Sequence, residues 1–218
     1  MAQRIQIDFV SDVVCPWCAI GLNGLEQALE RLKGALEAEI RFQPFELNPA
    51  MPPEGQNLDQ HIAEKYGRPP DAAMRATIRD RAAAVGFAIN SGEESRIYNT
   101  FDAHRLLHWA GLEQAPEKQR QSALKHVLLK AYFTEGRNVA DRAVLLAKAE
   151  EAGLDPEEAR AILDSDRYAE EVRAEEQAWL AAGIHSVPAV VINRAYLISG
   201  GQPPEVFEAN LREIANRA

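Results

Sequence analysis

Cys15-Pro16-Trp17-Cys18 follows closely on the alternating apolar run Ile5-Gln6-Ile7-Asp8-Phe9-Val10 and leads straight into residues of helical spacing. The context carries more than the four letters. Two cysteines three apart at the start of a helix place one sulfur at the positive end of the helix dipole, where a thiolate is favoured. The second sulfur lies within bonding distance, one turn on. A strand followed by such a pair, in a strand–helix setting without secretory features, reads as a redox centre. The chain of 218 residues holds only these 2 cysteines, so neither has a competing partner within it.

Working outward, Ile5, Ile7 and Phe9 alternate with Gln6 and Asp8, the period of a strand. Ile20, Leu22, Leu25, Leu29 and Leu32 recur at helical spacing over 18–33, and Gly34 marks a stop. Alternation returns from Glu39 to Leu47 through Ile40, Phe42 and Phe45. Strand–helix–strand of this length is a crossover unit with parallel strands. The Pro-rich stretch from Asn48 to Gly55 cannot continue a strand. From Leu58 to Ala182 the pattern predicts helices over 58–66, 71–85, 95–110, 116–134, 140–152, 156–164 and 167–182. Strand character resumes at Ala189-Val190-Val191-Ile192, turns through Asn193-Arg194-Ala195 and continues from Tyr196 to Ser199. After Gly200-Gly201-Gln202-Pro203-Pro204 a final helix runs through Val206, Phe207, Leu211 and Ile214. A β-α-β start and a β-β-α finish predict one α/β sheet domain, residues 1–56 with 183–218, split by an all-helical insertion over 57–182.

Composition narrows the function classes. Hydrophobic content of 46% and charged content of 26% are those of a soluble globular protein. A net charge of −9, with Lys and Arg interspersed among Glu and Asp, argues against a nucleic-acid footprint. No apolar run approaches the roughly 20 residues of a membrane span, and Met1-Ala2-Gln3-Arg4 does not lead into a signal segment. The expectation is a cytoplasmic protein that meets neither nucleic acid nor membrane.

Several segments together resemble the DsbA-like thioredoxin-fold oxidoreductases, and within them the FrnE-like branch. They are Cys15-Pro16-Trp17-Cys18-Ala19-Ile20-Gly21, Phe45-Glu46-Leu47-Asn48-Pro49 and Asn99-Thr100-Phe101-Asp102-Ala103-His104-Arg105-Leu106. Ala131-Tyr132-Phe133-Thr134-Glu135-Gly136, Gly183-Ile184-His185-Ser186-Val187-Pro188 and Ser199-Gly200-Gly201-Gln202-Pro203 complete the set. They stand in the family's order and cover nearly the whole chain. The resemblance implies a thioredoxin fold with a helical insertion and thiol:disulfide chemistry without a bound cofactor, glutathione being a candidate thiol partner. The chain departs from the pattern twice. Arg194 follows Asn193 where the family often has Gly, which counts against a two-residue type I′ turn. Gly200-Gly201-Gln202 stands where Gly-Ala-Gln is usual.

Within this frame Cys15 is the expected nucleophile, the more exposed thiol at a helix N-terminus whose free N–H groups favour its thiolate. Pro16 costs nothing in the first turn. Cys18, one turn in, is the expected buried thiol that resolves a mixed disulfide on Cys15. Trp17 adds no positive charge, so the couple is expected to be less oxidising than one with histidine there. Trp17 reads equally as a face for a bound peptide or as a packed hydrophobe. Val187-Pro188 resembles the cis-proline loop of thioredoxin folds, which implies a Pro188 beside the cysteines and a Val187 backbone able to pair with a peptide. The resemblance also puts His104, Asn99 and Arg105 on a helical wall facing Cys15, against the plain alternative of surface polar residues. Asp8 and Asp12, near the active-site turn, read as proton carriers for Cys18 or as exposed loop carboxylates. Glu170 to Glu176 reads as a solvated helix face.

Zinc is the rival for the cysteines. A structural site needs four ligands, so His61, His104, His108, His126 or His185 would have to complete it. His104 and His108 have i, i+4 spacing, but without the Glu of H-E-x-x-H, and the expectation is no metal. Three functions remain. The first is a thiol:disulfide oxidoreductase acting on a disulfide-containing protein or a small-molecule thiol substrate. In a reducing cytoplasm its work would be reduction, isomerisation or repair rather than bulk oxidation. The second is a glutathione-dependent isomerase or transferase of the hydroxychromene carboxylate isomerase type, against which the presence of both cysteines counts. The third is a non-catalytic binding protein on the same fold.

Overall fold

In a computed structural model of the chain, which describes residues 2–112 and 120–217, the two ends of the sequence share one sheet. The chain enters through β1 (Gln3–Ser11), crosses over in α1 (Pro16–Arg31) and returns in β2 (Leu36–Pro44). The insertion follows as β3 (Gln56–Asn57), α2 (Leu58–Tyr66), α3 (Ala72–Ala84), β4 (Arg96–Ile97), α4 (Phe101–Leu112), α5 (Arg120–Phe133), α6 (Arg142–Glu151), α7 (Pro156–Leu163) and α8 (Ala169–Ala181). β5 (Ala189–Ile192), β6 (Tyr196–Ser199) and α9 (Pro204–Arg217) complete the fold. The sheet runs β2-β1-β5-β6, with β1 parallel to β2 and antiparallel to β5, and with β5 antiparallel to β6. This is the thioredoxin arrangement with a helical insertion.

The strand period explains which face is covered. Ile5, Ile7 and Phe9 of β1 pack with Leu22, Leu25 and Ala28 of α1 and with Phe207, Leu211 and Ile214 of α9 in one buried cluster. Val10, on the opposite face, packs with Ile184 and Ala189 under Trp179 of α8. A second large cluster unites α4 to α7 with Val13 and Val14 of the active-site turn. The insertion is not walled off from the sheet domain. Ala82, Val85, Ile89, Leu129 and Phe133 belong to the first cluster.

β2 is an edge strand, and the insertion covers it. Gln121 of α5 accepts from the Phe42 amide at 3.0 Å and donates to the Phe42 carbonyl at 3.1 Å, in the manner of a neighbouring strand. It also donates to the Leu107 carbonyl of α4 at 3.1 Å. These bonds answer the backbone groups that an edge would leave open.

Four expectations need adjustment. β2 ends at Pro44, not Leu47, because the Glu46 amide donates to Glu176 (3.0 Å) and the Leu47 amide to Asp12 (2.8 Å) instead of to a strand. The helix expected over 95–110 begins at Phe101, and Arg96–Ile97 pairs with Gln56–Asn57 in a minimal antiparallel ribbon, so the insertion is not all helical. Residues 116–119 of the helix expected over 116–134 lie outside the described residues, and α5 begins at Arg120. Arg194 does adopt the left-handed region. With φ 51° at Asn193 and 55° at Arg194, both central residues are left-handed despite the missing Gly, with Ala195 N–H donating to the Ile192 carbonyl. The connection is three residues long because Ile192 pairs with Tyr196, so it is not a two-residue turn.

Candidate active site

Cys15 is the N-cap of α1, with extended backbone (φ −91°, ψ 114°) and no side-chain cap, and Pro16 takes the first helical position. The turn before it is closed by the Cys15 amide donating to the Asp12 carbonyl at 3.3 Å. Both thiols are free and both are buried, Cys15 at 4% exposure and Cys18 at 0%. Cys15 is thus the more accessible of the two only by a narrow margin. Burial pushes the Cys18 thiol well above its ordinary 9.0, helped by its hydrogen bond to Cys15 and by the Cys15 charge; Lys125 and the Asp12 backbone pull it the other way. Cys18 is thereby held as thiol beneath the helix terminus.

The loop before β5 closes over the pair. The Cys15 thiol donates to the Val187 carbonyl at 3.7 Å, and the Val187–Pro188 peptide bond is cis. One glycine on α1 and one on the loop after β6 make this approach feasible. A Cβ on Gly21 would lie 3.1 Å from Pro188 Cγ and 3.1 Å from Gly201 Cα. One on Gly201 would lie 2.6 Å from the Trp17 carbonyl oxygen, which accounts for Gly-Gly-Gln in this chain. Trp17 itself is 37% exposed, so its reading as a packed core hydrophobe falls.

A charged cluster lies beneath the cysteines. Asp12 is fully buried, Asp8 is 1% exposed, and neither is an exposed loop carboxylate. Asp12 Oδ2 accepts the Leu47 amide at 2.8 Å, and its Oδ1 lies 3.4 Å from Nε2 of buried His104. Burial alone would raise the Asp12 carboxyl; His104, the Leu47 amide and Lys125 outweigh it and hold the group below its ordinary 3.8. Asp8 Oδ1 accepts from Gln43 at 2.7 Å. Lys125 of α5 is also fully buried, its Nζ 5.9 Å from the centre of the Phe42 ring. Burial pulls its ammonium below the ordinary 10.5, opposed by the charges of Cys18, Asp12 and Cys15. Beyond His104, Glu46 is raised by burial and by the Glu176 carboxylate, against the pull of Arg173, which bonds to both. Glu176 is 7% exposed, so the stretch from Glu170 to Glu176 is not wholly a solvated face.

Of the other residues singled out in the sequence, His104 reaches this cluster while Asn99 and Arg105 serve the framework. Asn99 donates to the Met51 carbonyl at 2.9 Å and accepts the Phe101 amide at 2.9 Å, fixing the start of α4. Arg105 ties α4 to the α7–α8 connection through the carbonyls of Ile162, Ser165 and Arg167 and pairs with Asp102. His108 Nδ1 lies 3.2 Å from Glu175 Oε1, so it does not join His104 on one ligand. Among the described residues no group of three or more His, Cys, Asp or Glu is placed to hold a metal ion.

Beside Pro16 a groove of about 670 Å³ opens between α2, α3, the 89–98 segment and the end of α5. Its floor is largely apolar, with Val14, Leu58, Met74, Ile78, Tyr98 and Phe133 among its lining. Tyr132, also in its wall, donates to the Arg96 carbonyl at 3.0 Å, and burial raises its phenol. The volume lies in the range of small-molecule sites. Among the described residues no helix is long and apolar enough to cross a membrane.

A thioredoxin fold with C-x-x-C opening its first helix and a helical insertion beside it defines the class. The chain belongs to the DSBA-like thioredoxin domain family, whose pattern matches residues 6–212. It is 34% identical to a probable DsbA oxidoreductase of Streptomyces coelicolor, covering 98% of this chain and 91% of that one with a TM-score of 0.87. It is 28% identical over 205 residues to the uncharacterized protein YwbO of Bacillus subtilis, which covers 94% of each chain. The cytosolic disulfide reductase DsbM of Pseudomonas aeruginosa, in a structure with glutathione, shares the fold at 19% identity and a TM-score of 0.59, covering 97% of this chain and 99% of that one.

Proposed function

We propose that this chain is a thiol:disulfide oxidoreductase working through a mixed disulfide on Cys15. The observation that carries the reading is the placement of Cys15 at the N-terminus of α1 with Cys18 buried one turn on, both under the Val187–Pro188 loop. The Cys15 thiolate attacks one sulfur of a substrate disulfide, and the substrate's other sulfur leaves as thiolate. Cys18 then attacks Cys15, closing the Cys15–Cys18 disulfide and releasing the substrate as a reduced thiol. Pro188 keeps the loop against the pair. The Val187 backbone offers a strand-like contact to an extended peptide, and exposed Trp17 offers an apolar face.

The groove beside Pro16 supports a substrate with an apolar body, either a peptide segment or a small molecule. In a cytoplasmic, reducing setting the favoured direction is reduction or rearrangement of oxidised thiols, with glutathione recycling the pair. The fold shared with a disulfide reductase seen with glutathione supports that choice of thiol. Turnover of a glutathionylated peptide tests it. Cys15→Ser is expected to abolish turnover, and Cys18→Ser to accumulate the mixed disulfide detectable by mass. Full activity in Cys15→Ser would overturn the reading.

A further inference from the structure

The helix α3 leaves most of its apolar stripe uncovered. Met74, Ile78 and Ala82 recur at i, i+4 spacing on one face, while Arg79, Asp80 and Arg81 are exposed. A surface helix ordinarily buries such a stripe along its length. Here only Ala82, at the C-terminal end, is buried. Ile78 is half-buried, Met74 is 36% exposed, and both line the groove of about 670 Å³ beside Pro16. The buried end is fixed, because Val85 is buried and its carbonyl accepts from Gln27 of α1 at 2.9 Å. Near the other end the Arg75–Asp59 ion pair ties α3 to α2, a helix with no buried residue of its own. A glycine stands on either side of α3, Gly67 with φ 80° and Gly86 with φ 74°, and a Cβ on either would meet nothing within 4 Å. Lids move about a few such positions at element ends, and a segment with few buried contacts opens at low cost.

The groove starts beside Cys15, since Val14 and Pro16 line it, but its described lining does not include Trp17, Val187 or Pro188. A peptide paired with the Val187 backbone therefore takes another course, and the groove is free for the substituent of a small thiol. The charges around it balance. Arg75 is paired with Asp59, and Arg96 and Arg137 match Glu93 and Glu94 in number, which suits an uncharged occupant. We propose that the groove takes the neutral apolar arm of a small-molecule thiol joined to Cys15, and that α3 is the lid that closes over it. The inference rests on the thiol:disulfide reading and names the substrate class of that site. Closure lays Met74 and Ile78 on the arm, with Leu58, Tyr98 and Phe133 in the facing walls, and removes the open part of the α3 stripe from water. Closure on an empty groove would leave a void, which close packing disfavours. The length of the arm therefore sets the balance between open and closed.

The test loads the full chain carrying Cys18→Ser, in which Cys15 alone reacts, with methyl or n-hexyl methanethiosulfonate. The Cys15 thiolate attacks the alkyl-bearing sulfur of the reagent, a Cys15–alkyl disulfide forms, and methanesulfinate leaves with the electron pair of the broken bond. Amide hydrogen exchange is then followed by mass spectrometry. Without a label or with the methyl label, α3 should exchange far faster than α5. With the hexyl label, exchange in α3 should slow at least about tenfold, since each buried methylene is worth up to roughly fourfold. Met74→Glu sets a charge in the groove and should remove the slowing specific to hexyl. Exchange in α3 indifferent to the length of the arm, or a hexyl-specific slowing that survives Met74→Glu, would overturn the inference. Cys18→Ala takes the same labels and replaces Cys18→Ser if the serine variant does not fold. The labels attach through the reactivity of the reagent, so closure is read apart from turnover. Loss of glutathionylated-peptide turnover with the hexyl-specific slowing intact would strike the thiol:disulfide reading and leave the lid standing.

Discussion

Gly21→Ala separates local helix preference from tertiary contact at the redox site. In a helix interior Ala is favoured over Gly by about 0.5–1 kcal/mol, so propensity alone predicts a more stable protein. The new methyl carbon would stand 3.1 Å from both Pro188 Cγ and Gly201 Cα. Comfortable carbon contacts begin near 3.5 Å, so both neighbours must give way by roughly half an ångström. Adding a methylene to a tight site costs about 1–3 kcal/mol. The net expectation is a loss of about 1 kcal/mol, or roughly 2–4 °C in Tm for a chain of this size. Because both neighbours lie on loops that border the cysteines, the shift also moves the Val187 carbonyl away from Cys15. Turnover should therefore fall more than stability does. Gly24→Ala is the internal comparison. Its Cβ would meet the Gln202 carbonyl oxygen at 2.8 Å, away from Pro188, so it should cost at least as much stability and less activity. Urea unfolding and mixed-disulfide turnover of both variants read these quantities. A Gly21→Ala protein about 1 kcal/mol more stable than its parent, with turnover unchanged, would refute the close approach of α1 to the Pro188 loop.

Other outcomes follow from the charged cluster and the covered edge. Asp12 lies below its ordinary value in the folded chain, so the stability it contributes is fully present above about pH 3.8 and is lost as pH falls through the lower folded value. Asp12→Asn should therefore cost about 1–3 kcal/mol near neutrality and flatten the acid side of the stability curve, read by urea unfolding across acid pH. Gln121→Leu leaves the buried Phe42 amide without its partner, which should cost about 1–3 kcal/mol for that amide alone. Hydrogen exchange at Phe42 should quicken while β1 stays protected.

The sheet domain was legible because its signals are local. Ile5, Ile7 and Phe9 alternate, Leu22 and Leu25 recur at helical spacing, and Cys15-Pro16 marks a helix start. Most helices of the insertion were legible for the same reason, α4 being the exception with a start at Phe101 instead of residue 95. What escaped depends on contacts distant in sequence. Arg96–Ile97 pairs with Gln56–Asn57 across the whole of α2 and α3, and two-residue strands have no period to detect. Asn99 and Arg105 carry the look of functional residues, yet their side chains meet backbone carbonyls of the framework. Lys125 and Gln121 escaped because a polar residue in a helix reads as solvated, and only the packing of α5 against β2 buries them. One signal was present. Residues 121, 124, 125, 128 and 129 form a continuous stripe with Leu124, Leu128 and Leu129, so Lys125 sits in an apolar face rather than opposite it.

The reduction potential of the Cys15–Cys18 pair, equilibrated against glutathione buffers and followed by thiol trapping, tests the central claim most directly. A reversible two-electron couple between about −270 and −120 mV is expected, on the reducing side of that range for a reductase. A pair that forms no disulfide at any glutathione poise would contradict it.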